Sequence, residues 1–499
     1  MTTHAPVEYE DIQGLVRFGH GRLTEARFFL LTVTDRAAAR AWLRAAPVTS
    51  AVTSVPPPDT ALQVAFTWEG LRALGLPARV ADGFSAEFIT GMAGEESRSR
   101  RLGDVGASAP PRWRWGAPGD EVHVLVAAYA TRERFEAWTR TLRGDGWAPA
   151  FRERSCLETS PSEAGPFEPF GFRDGISQPA VDWDRTRDVR DDQLEYGNLV
   201  ALGEILLGYP NEYGTYTERP LAGDADDPLR LLPPAEDDRG RRDFGRNGTY
   251  LVFRDVEQDV PGFWKFVDSR AGGDAAARRA LAEAMVGRTI EGRPLAAPAP
   301  RRIAGLEARD EPLNGFTYDG DPDGIRCPVG AHVRRANPRT ADFPAGTKGP
   351  LSRLLRRLGF GGTGFRHDLV ASARFHRLLR RGREYGDPLP PDEAVRDRGA
   401  AGPERGLRFI CLNANIARQF EFVQNAWIGS TKFGGLTGEA DPLLGSRAPV
   451  PGCPVTDTYS IPGDGGLARR LEGLPAFVTV RGGAYFFLPG LRALRYLAS

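Results

Sequence analysis

The sequence is poor in the residue types that most often reveal a function. Only three of its 65 basic residues are lysine, and its 499 residues include only six histidines and four cysteines. The cysteines form no CxxC pair, so their spacing supports neither a zinc site nor a disulfide framework. Reduced thiols in a cytoplasmic protein are the simplest interpretation. We attribute the lysine scarcity to compositional bias, although arginine suits carboxylate recognition.

Charge and hydropathy exclude two further classes of partner. Basic and acidic residues both number 65, so the net charge is zero, which favours neither nucleic acid nor an anionic membrane surface. No apolar stretch approaches the roughly 20 residues that cross a bilayer. Residues 1–14 lack a basic stretch followed by an apolar one. We therefore predict a cytoplasmic protein that binds neither nucleic acid nor membrane. The run RLLRR, at 353–357 and 377–381, is interpreted as a solvated helix face or an anion clamp.

Alternating strands and helices are predicted in the N-terminal part. Val/Phe/Tyr-rich alternation marks strands, and apolar residues at helical spacing mark helices. The order resembles that of a ferredoxin-like domain. The predicted elements are a strand at 25–35, a helix at 36–46, strands at 61–68 and 121–130, and a helix at 131–143.

The same pattern returns in the C-terminal part. A strand at 248–256 precedes a helix at 261–271, and a strand at 405–413 precedes an aromatic-bearing helix at 414–427. The segment 476–490 is predicted to be a hairpin or two short strands. Repetition of strand and helix in both parts suggests two similar α+β domains, although this is weak evidence for an internal repeat.

The length also predicts two domains, since 499 residues exceed the size of one ordinary core. Polar stretches rich in Pro, Gly and Asp, at 219–245 and 386–406, are predicted surface loops. We place the boundary so that residues 1–215 form the N-terminal domain and residues 216–499 the C-terminal domain.

His332 stands out among the few histidines. It lies in GIRCPVGAHVRRANPR at 324–339, which is rich in Arg and poor in core-forming residues. Packing alone does not explain a histidine there. The segment is equally consistent with a ligand or catalytic histidine and with a histidine in a loop.

Asp174 lies in a second unusual segment, PFGFRDGISQP at 169–179. An Asp before Gly and between two Phe residues indicates a tight, partly apolar turn. On this evidence alone, an Asx-turn or a helix N-cap is the commoner role for such a residue.

These segments, taken together, resemble those of the dye-decolourising peroxidase family. A GxxDG motif spans 171–175 and contains Asp174, His332 lies in a Gly-Ala-His-Val-Arg-Arg context, and LLRRGREYG at 378–386 contains Arg380. The resemblance covers nearly the whole chain and keeps the family's motif order. Further similar stretches are DIQGLVRFGHG, GEILLGYPNEYG, GLRFICLNANIARQFEFVQ and DPLLG.

The resemblance implies a fold and a cofactor. It implies two ferredoxin-like α+β domains with antiparallel sheets, and haem b (iron protoporphyrin IX) held mainly by the C-terminal domain. His332 would be the proximal ligand of the iron, and Arg339 would pair with a haem propionate. Leu407 and Phe409 would line the distal pocket.

On the distal side the resemblance implies that Asp174 is the general base and acid for hydrogen peroxide. Arg380 would stabilise developing negative charge. Some family members carry Asn two residues after the distal Arg, where this chain has Gly382. Arg377 and Arg381 are neighbouring alternatives for the distal Arg. A carboxylate should accept the other ring N–H of the proximal His, and we expect Asp441, with Glu439 and then Glu421 as alternatives.

The predicted function is therefore a haem peroxidase that oxidises small or bulky organic reductants, such as phenols and dyes, by one-electron steps. Tyr385 and Trp427 are candidate relays for bulky reductants, although core packing is the commoner role for such rings. A haem-binding or haem-trafficking protein is the alternative, but it would not need both Asp174 and Arg380. A non-haem metal enzyme lacks further ligands at useful spacing. A homo-oligomer is left open.

Overall fold

The computed structural model describes residues 6–160, 167–186, 196–341, 373–397, 402–450, 452–463 and 468–499. In this part of the chain one antiparallel sheet of nine strands organises the fold. The strands are β1 (Glu25–Val33), β2 (Thr60–Phe66), β3 (Val124–Ala130), β4 (Phe151–Glu158), β5 (Thr249–Gln258), β6 (Leu379–Arg380), β7 (Arg383–Tyr385), β8 (Gly406–Asn413) and β9 (Val478–Leu488).

The sheet consists of two halves with the same topology. The strand order is β6-β8-β5-β9-β2-β3-β1-β4, and β7 also pairs with β8. In each half the first strand lies between the third and the fourth, and the second pairs with the third. This is the predicted ferredoxin-like arrangement, so the α+β fold class is confirmed. A boundary at residues 215 and 216 would lie between β4 and β5, and it stays a prediction.

Helices follow the first and third strands of each half. Arg36–Ala45 and Arg132–Leu142 do so in the N-terminal half, and Val260–Arg270 and Ala275–Val286 follow β5. Asp35 caps the first of these helices by accepting a hydrogen bond from a backbone N–H. None of the helices in the described ranges combines the length and the apolarity needed to cross a bilayer.

The remaining helices are short. The α-helices are Gly14–Phe18, Trp68–Ala73, Ala78–Ala81, Ala86–Thr90, Glu96–Leu102, Trp147–Ala150, Glu311–Asn314, His332–Ala336, Pro391–Arg396 and Leu491–Ala498. The 3₁₀ turns are Gly106–Ser108, Pro110–Arg112, Leu202–Glu204, Ala308–Asp310, Ala373–His376 and Phe433–Gly435. Short two-stranded pairings join Ala180–Asp182 to Leu199–Ala201, Leu221–Ala222 to Arg242–Asp243, and Tyr459–Ile461 to Arg469–Leu471.

The helix predicted after β8 is π-helical rather than α-helical. It comprises Ala417–Glu421 and Val423–Ile428. The amide of Gln419 donates hydrogen bonds to the backbone oxygens of Glu204 and Arg377. The first bond joins the π-helix to the 3₁₀ turn Leu202–Glu204, and the second joins it to the residues just before β6. Wide turns of this kind are frequent near functional sites.

Both faces of the sheet are buried, and the core runs across both halves. One core cluster contains Phe29 of β1 together with Val252 of β5 and Cys411 of β8. The cluster on the opposite face contains Phe28 of β1 and Phe253 of β5. Because neighbouring residues of a strand face opposite sides, each strand contributes to both clusters.

Two sequence predictions are wrong. Residues 476–490 form no hairpin, because β9 is one continuous strand with a bulge between Val480 and Gly482. A Cβ at Gly482 would lie 2.5 Å from the indole of Trp115, so this glycine permits close packing, not a turn. The second RLLRR run is no solvated helix face, since it enters β6 and Arg381 donates hydrogen bonds to backbone oxygens of Leu15 and Val16. The first run lies outside the described residues.

Candidate active site

The GxxDG segment forms a tight turn. Gly171 and Gly175 have φ of 96° and 74°, a region that favours glycine. Phe170 packs on Phe263 with ring centroids 4.8 Å apart, and its backbone oxygen accepts a hydrogen bond from the indole of Trp264. Phe170, the residue before the motif, therefore anchors the turn that carries Asp174.

Asp174 forms an ion pair with Arg380. Arg380 Nη1 donates to Asp174 Oδ1 at 2.9 Å, and its Nη2 donates to the backbone oxygen of Ser177. The backbone N–H of Arg380 donates to Gln178 Oε1 at 3.0 Å. Burial pushes the pKa of Asp174 up, but the charge of Arg380 and the N–H of Gly175 hold this pKa below its ordinary value. Asp174 is therefore a carboxylate at neutral pH.

A cavity of about 440 Å³ lies next to this ion pair. Leu407 and Phe409 line it from β8, where residues two apart share a face of the strand. Both side chains are half-buried. Phe18 lines the cavity and is 42% exposed, so the cavity reaches the protein surface. Asp174 and Arg380 can thus meet a small molecule that enters from solvent.

His332 begins a short helix, and its ring is held by Asp441. His332 Nδ1 lies 2.9 Å from Asp441 Oδ2, and Asp441 Oδ1 accepts hydrogen bonds from the backbone N–H groups of Leu443 and Leu444. Asp441 is fully buried. Burial lowers the pKa of His332, but the carboxylate of Asp441 outweighs this effect and raises it.

The two alternative carboxylates have other partners. Glu439 accepts hydrogen bonds from the backbone and the hydroxyl of Ser460. Glu421 pairs with Arg98 and accepts a hydrogen bond from the hydroxyl of Tyr485. Of the three acids, Asp441 is the one hydrogen-bonded to His332.

Arg335 holds the segments that carry His332 and Asp441 together, and the sequence gave no reason to choose it as a candidate. Its guanidinium is fully buried and donates hydrogen bonds only to backbone oxygens, namely those of Gly330, Trp427, Ser430 and Glu439. These bonds join the loop before His332 to the π-helix and to the segment that carries Asp441. The ring of His332 is thereby oriented by contacts far apart in sequence.

The Asp174–Arg380 pair lies near the His332–Asp441 pair. The accessible fractions of the side chains of Asp174, Arg380 and His332 are 42%, 33% and 25%. The charges of Asp174 and Arg380 both act on the pKa of His332. Among the described residues, Nε2 of His332 has no hydrogen-bond partner. An imidazole with one nitrogen held and the other free is suited to ligate a metal.

Buried arginines without carboxylate partners adjoin the site. In the described ranges Arg288, Arg339 and Arg377 form no ion pair. Arg339 Nη1 donates to the backbone oxygens of Asn314 and Phe316. Burial, together with nearby Arg339, lowers the pKa of Arg288 to about 10. Uncompensated buried cations are costly, so this cluster suits a large anionic group.

The donor set fits haem better than a bare metal ion. Within the described ranges, no group of three or more His, Cys, Asp or Glu side chains could hold a metal ion. A single histidine with a carboxylate partner is, in contrast, a common axial ligand arrangement for haem iron. The arginine cluster suits the two propionates of such a group.

Comparison with known proteins agrees with this geometry. No family model matches the chain. A dye-decolorizing peroxidase of Mycetinis scorodonius is 27% identical over 100% of this chain and 89% of that protein. A multifunctional dye peroxidase of an Amycolatopsis species is 29% identical over 96% of this chain and 91% of that protein. A crystal structure of a fungal DyP-type peroxidase from Auricularia auricula-judae matches with a TM-score of 0.72 at 24% identity, covering 99% of this chain and all of the other.

The chain is similar to dye-decolourising peroxidases over nearly its full length. Curated relatives align from end to end, and the fold matches that of the solved structure. The fold brings Asp174 and Arg380 into contact, as it does His332 and Asp441. Arg381 lies apart from Asp174, bonded to the backbone, and Arg377 donates to the hydroxyl of Tyr196.

The two candidate relays, Tyr385 and Trp427, are both buried. Tyr385 is 6% exposed and lies under the guanidinium of Arg408, and Trp427 is 6% exposed with its ring edge against His376. Neither ring is at the surface of the described part of the chain. Trp427 does line a cavity of about 530 Å³ with Phe433.

Proposed function

We propose that the chain holds haem b between His332 and the Asp174–Arg380 pair and reduces hydrogen peroxide there. One observation carries the proposal. The Asp174–Arg380 pair and the His332–Asp441 pair lie near enough for the charges of the first pair to act on the imidazole of the second. Haem, when bound, supplies the iron that takes up and reduces peroxide.

Asp174 would move the proton of peroxide. Its low pKa keeps the carboxylate ionised, so it can accept the proton from one peroxide oxygen and return it to the other. The guanidinium of Arg380, already 2.9 Å from Asp174, would stabilise negative charge that develops beside it. Leu407 and Phe409 would limit the cavity to small molecules.

His332 would ligate the iron through Nε2. Asp441 takes the Nδ1 proton in a hydrogen bond and so makes the imidazole more basic. Arg335 would keep both partners in place. For the propionates we propose Arg339, as the sequence predicts, with Arg288 and Arg377 adding positive charge around the same group.

The proposed electron donors are phenols and dyes. The matching solved structures include a dye-decolorizing peroxidase in complex with 2,6-dimethoxyphenol, at 24% identity and a TM-score of 0.71. Large donors do not fit beside Leu407 and Phe409. They would give up electrons through a ring outside that cavity, and Trp427, which lines a cavity of its own, suits this role better than Tyr385.

The haem-trafficking alternative is less well supported. A carrier needs His332 but has no use for an ionised acid and an arginine at the peroxide side. The division into domains at residues 215 and 216, a cytoplasmic location and assembly into a homo-oligomer remain proposals.

Haem reconstitution with absorption spectroscopy tests the proposal. The purified chain should bind one haem, and His332→Ala should lose most of it or lose the spectrum of a histidine-ligated ferric haem. His376→Ala is the matched control, because His376 packs on Phe422 and its Nδ1 is bonded to a backbone oxygen. A chain that binds no haem, or equal spectra of both variants and wild type, would contradict the proposal.

A further inference from the structure

A second carboxyl, that of Glu168, lines the same cavity as Asp174 and has no role in the chemistry above. Its two oxygens accept hydrogen bonds from the backbone N–H groups of Phe170 and Phe172, each at 3.0 Å. The backbone of Glu168 also bonds to Gly171 and Phe172. Because these residues form the turn that leads to Asp174, Glu168 determines where the turn lies.

The partner of Glu168 on β5 is suited to both protonation states of the carboxyl. Gln258 Nε2 donates to Glu168 Oε2 at 2.8 Å. Gln258 is only 8% exposed, and in the described part of the chain its Oε1 has no hydrogen-bond partner. An amide presents donors on one side and an acceptor on the other. After rotation, Gln258 can therefore accept a hydrogen bond from a protonated Glu168.

Glu168 changes charge in a different pH range from Asp174. Burial raises the pKa of Glu168 to about 7, and the carboxylate of Asp174 adds to this rise, against the lowering effect of Gln258 and the two backbone donors. In the described ranges no cationic side chain forms an ion pair with Glu168. Asp174 has its pKa lowered, so the two acids titrate separately.

The surroundings of Glu168 contain few charges. Its own turn supplies Asp174, β5 supplies the neutral Gln258, and β8 supplies apolar side chains. The helix Val260–Arg270 presents Phe263 and Trp264 to the turn. The remaining charged groups that line the cavity come from β6, β7 and the link between them: Arg380, Arg381, Arg383 and Glu384.

We propose that Glu168 is a positioning residue that stores a proton beside Asp174. While protonated, it leaves Asp174 as the only ionised carboxyl of the turn. When it releases its proton to solvent, it places a second negative charge near Asp174 and makes Asp174 a stronger base. The inference rests on the proposed role of Asp174 in the reaction with peroxide.

Infrared difference spectroscopy of the haem-loaded protein between pH 5 and 9 tests the proton store directly. Wild type should lose a protonated-carboxyl C=O band with a midpoint near 7, and Glu168→Gln should lack that band. Glu384→Gln, which removes another carboxyl of the same cavity, should keep it. Absence of the band in wild type, or its persistence in Glu168→Gln, would overturn the proposal.

A second variant keeps Glu168 and alters only its donor. Gln258→Leu removes a hydrogen bond to the charged form, so the midpoint of the band should rise by about 1–2 pH units. An unchanged midpoint contradicts the assigned pairing.

The pH dependence of the peroxide reaction links the proton store to Asp174. The rate should show a step with the same midpoint in wild type. Glu168→Gln should lose this step but keep the acid limb, because Glu168 is already neutral there. A step retained in Glu168→Gln would remove the link to Asp174. If Asp174→Asn leaves the rate unchanged, the proposed function fails, whereas the infrared titration still decides the state of Glu168.

Discussion

The two halves of the sheet have the same strand order but different second strands. In the N-terminal half, β2 is continuous, and six of its seven residues are buried. In the C-terminal half, the corresponding strand is split into β6 and β7 on either side of Arg381 and Gly382. The interruption leaves Arg380 at a strand end, where its side chain reaches Asp174.

The third strands differ in the same way. All seven residues of β3 are buried, whereas β8 begins with alternation between buried and half-buried residues. The half-buried positions are those of Leu407 and Phe409. One topology therefore serves packing in the first half and borders a cavity in the second, where Leu407 and Phe409 are only half-buried.

The largest expected effect concerns Asp174, which the interrupted strand of the C-terminal half brings into contact with Arg380. Asp174→Asn keeps the shape of the side chain but cannot accept a proton. The stopped-flow rate of the peroxide-driven change in haem absorption should fall by roughly 10²–10⁴-fold, as for a lost general base. Haem content and thermal midpoint should stay close to wild type. A rate within a few-fold of wild type would show that Asp174 is not the general base in the reaction with peroxide.

The next effect contrasts the two third strands. Leu125 of β3 is 1% exposed, so Leu125→Ala should lower the free energy of unfolding by about 2–5 kcal/mol. Leu407→Ala at the same place in β8 should cost less, because Leu407 already borders a cavity. Chemical denaturation measures both. Equal losses would mean that the cavity is closed and that β8 is packed like β3.

The smallest effect is a shift in pH dependence. The pKa of Asp174 is lowered, so the base is lost only when pH falls through a value below the ordinary ~3.9. Arg380→Leu removes the lowering charge while burial remains, and the acid limb should move upward by about 1–3 pH units.

Arg381→Leu is the matched control for that shift. Arg381 is the next residue along the chain, but it binds the backbone oxygens of Leu15 and Val16. Its loss should leave the acid limb in place. A shift in this variant alone would assign the distal role to Arg381.

Sequence periodicity predicted the strands that carry apolar side chains on both faces, such as β1, β3 and β5. It missed β4, whose residues Arg152, Glu153 and Arg154 are exposed, because an edge strand with a polar face lacks the apolar pattern. It also missed β6 and β7, which are too short to show any period. The π-helix after β8 has the apolar content of an α-helix, so composition could not distinguish the two types of helix.

The sequence motifs located Asp174, Arg380 and His332, and the resemblance led to Asp441 as the partner of His332, but the other residues that hold the site were missed. Glu168 and Gln258 are 90 residues apart, and Arg335 reaches an oxygen 104 residues away. Such contacts depend on the tertiary fold and leave no local pattern. The place of Glu168 beside the cavity could be inferred from the sequence only through its nearness to the GxxDG motif, and the segment PFEPFGF gave no reason to single it out.

The contact between β2 and β9 rests on the single pairing of Phe66 with Phe487. The ladder hydrogen bonds between β2 and β9 are therefore few, whereas both core clusters extend without a break from one half into the other. Apolar side chains, whose contribution weakens on cooling, therefore supply much of the cohesion at this point of the sheet. Each half alone would expose a large apolar surface. The molecule should consequently unfold as one cooperative unit, and its two halves are repeats in architecture without being independent in thermodynamics.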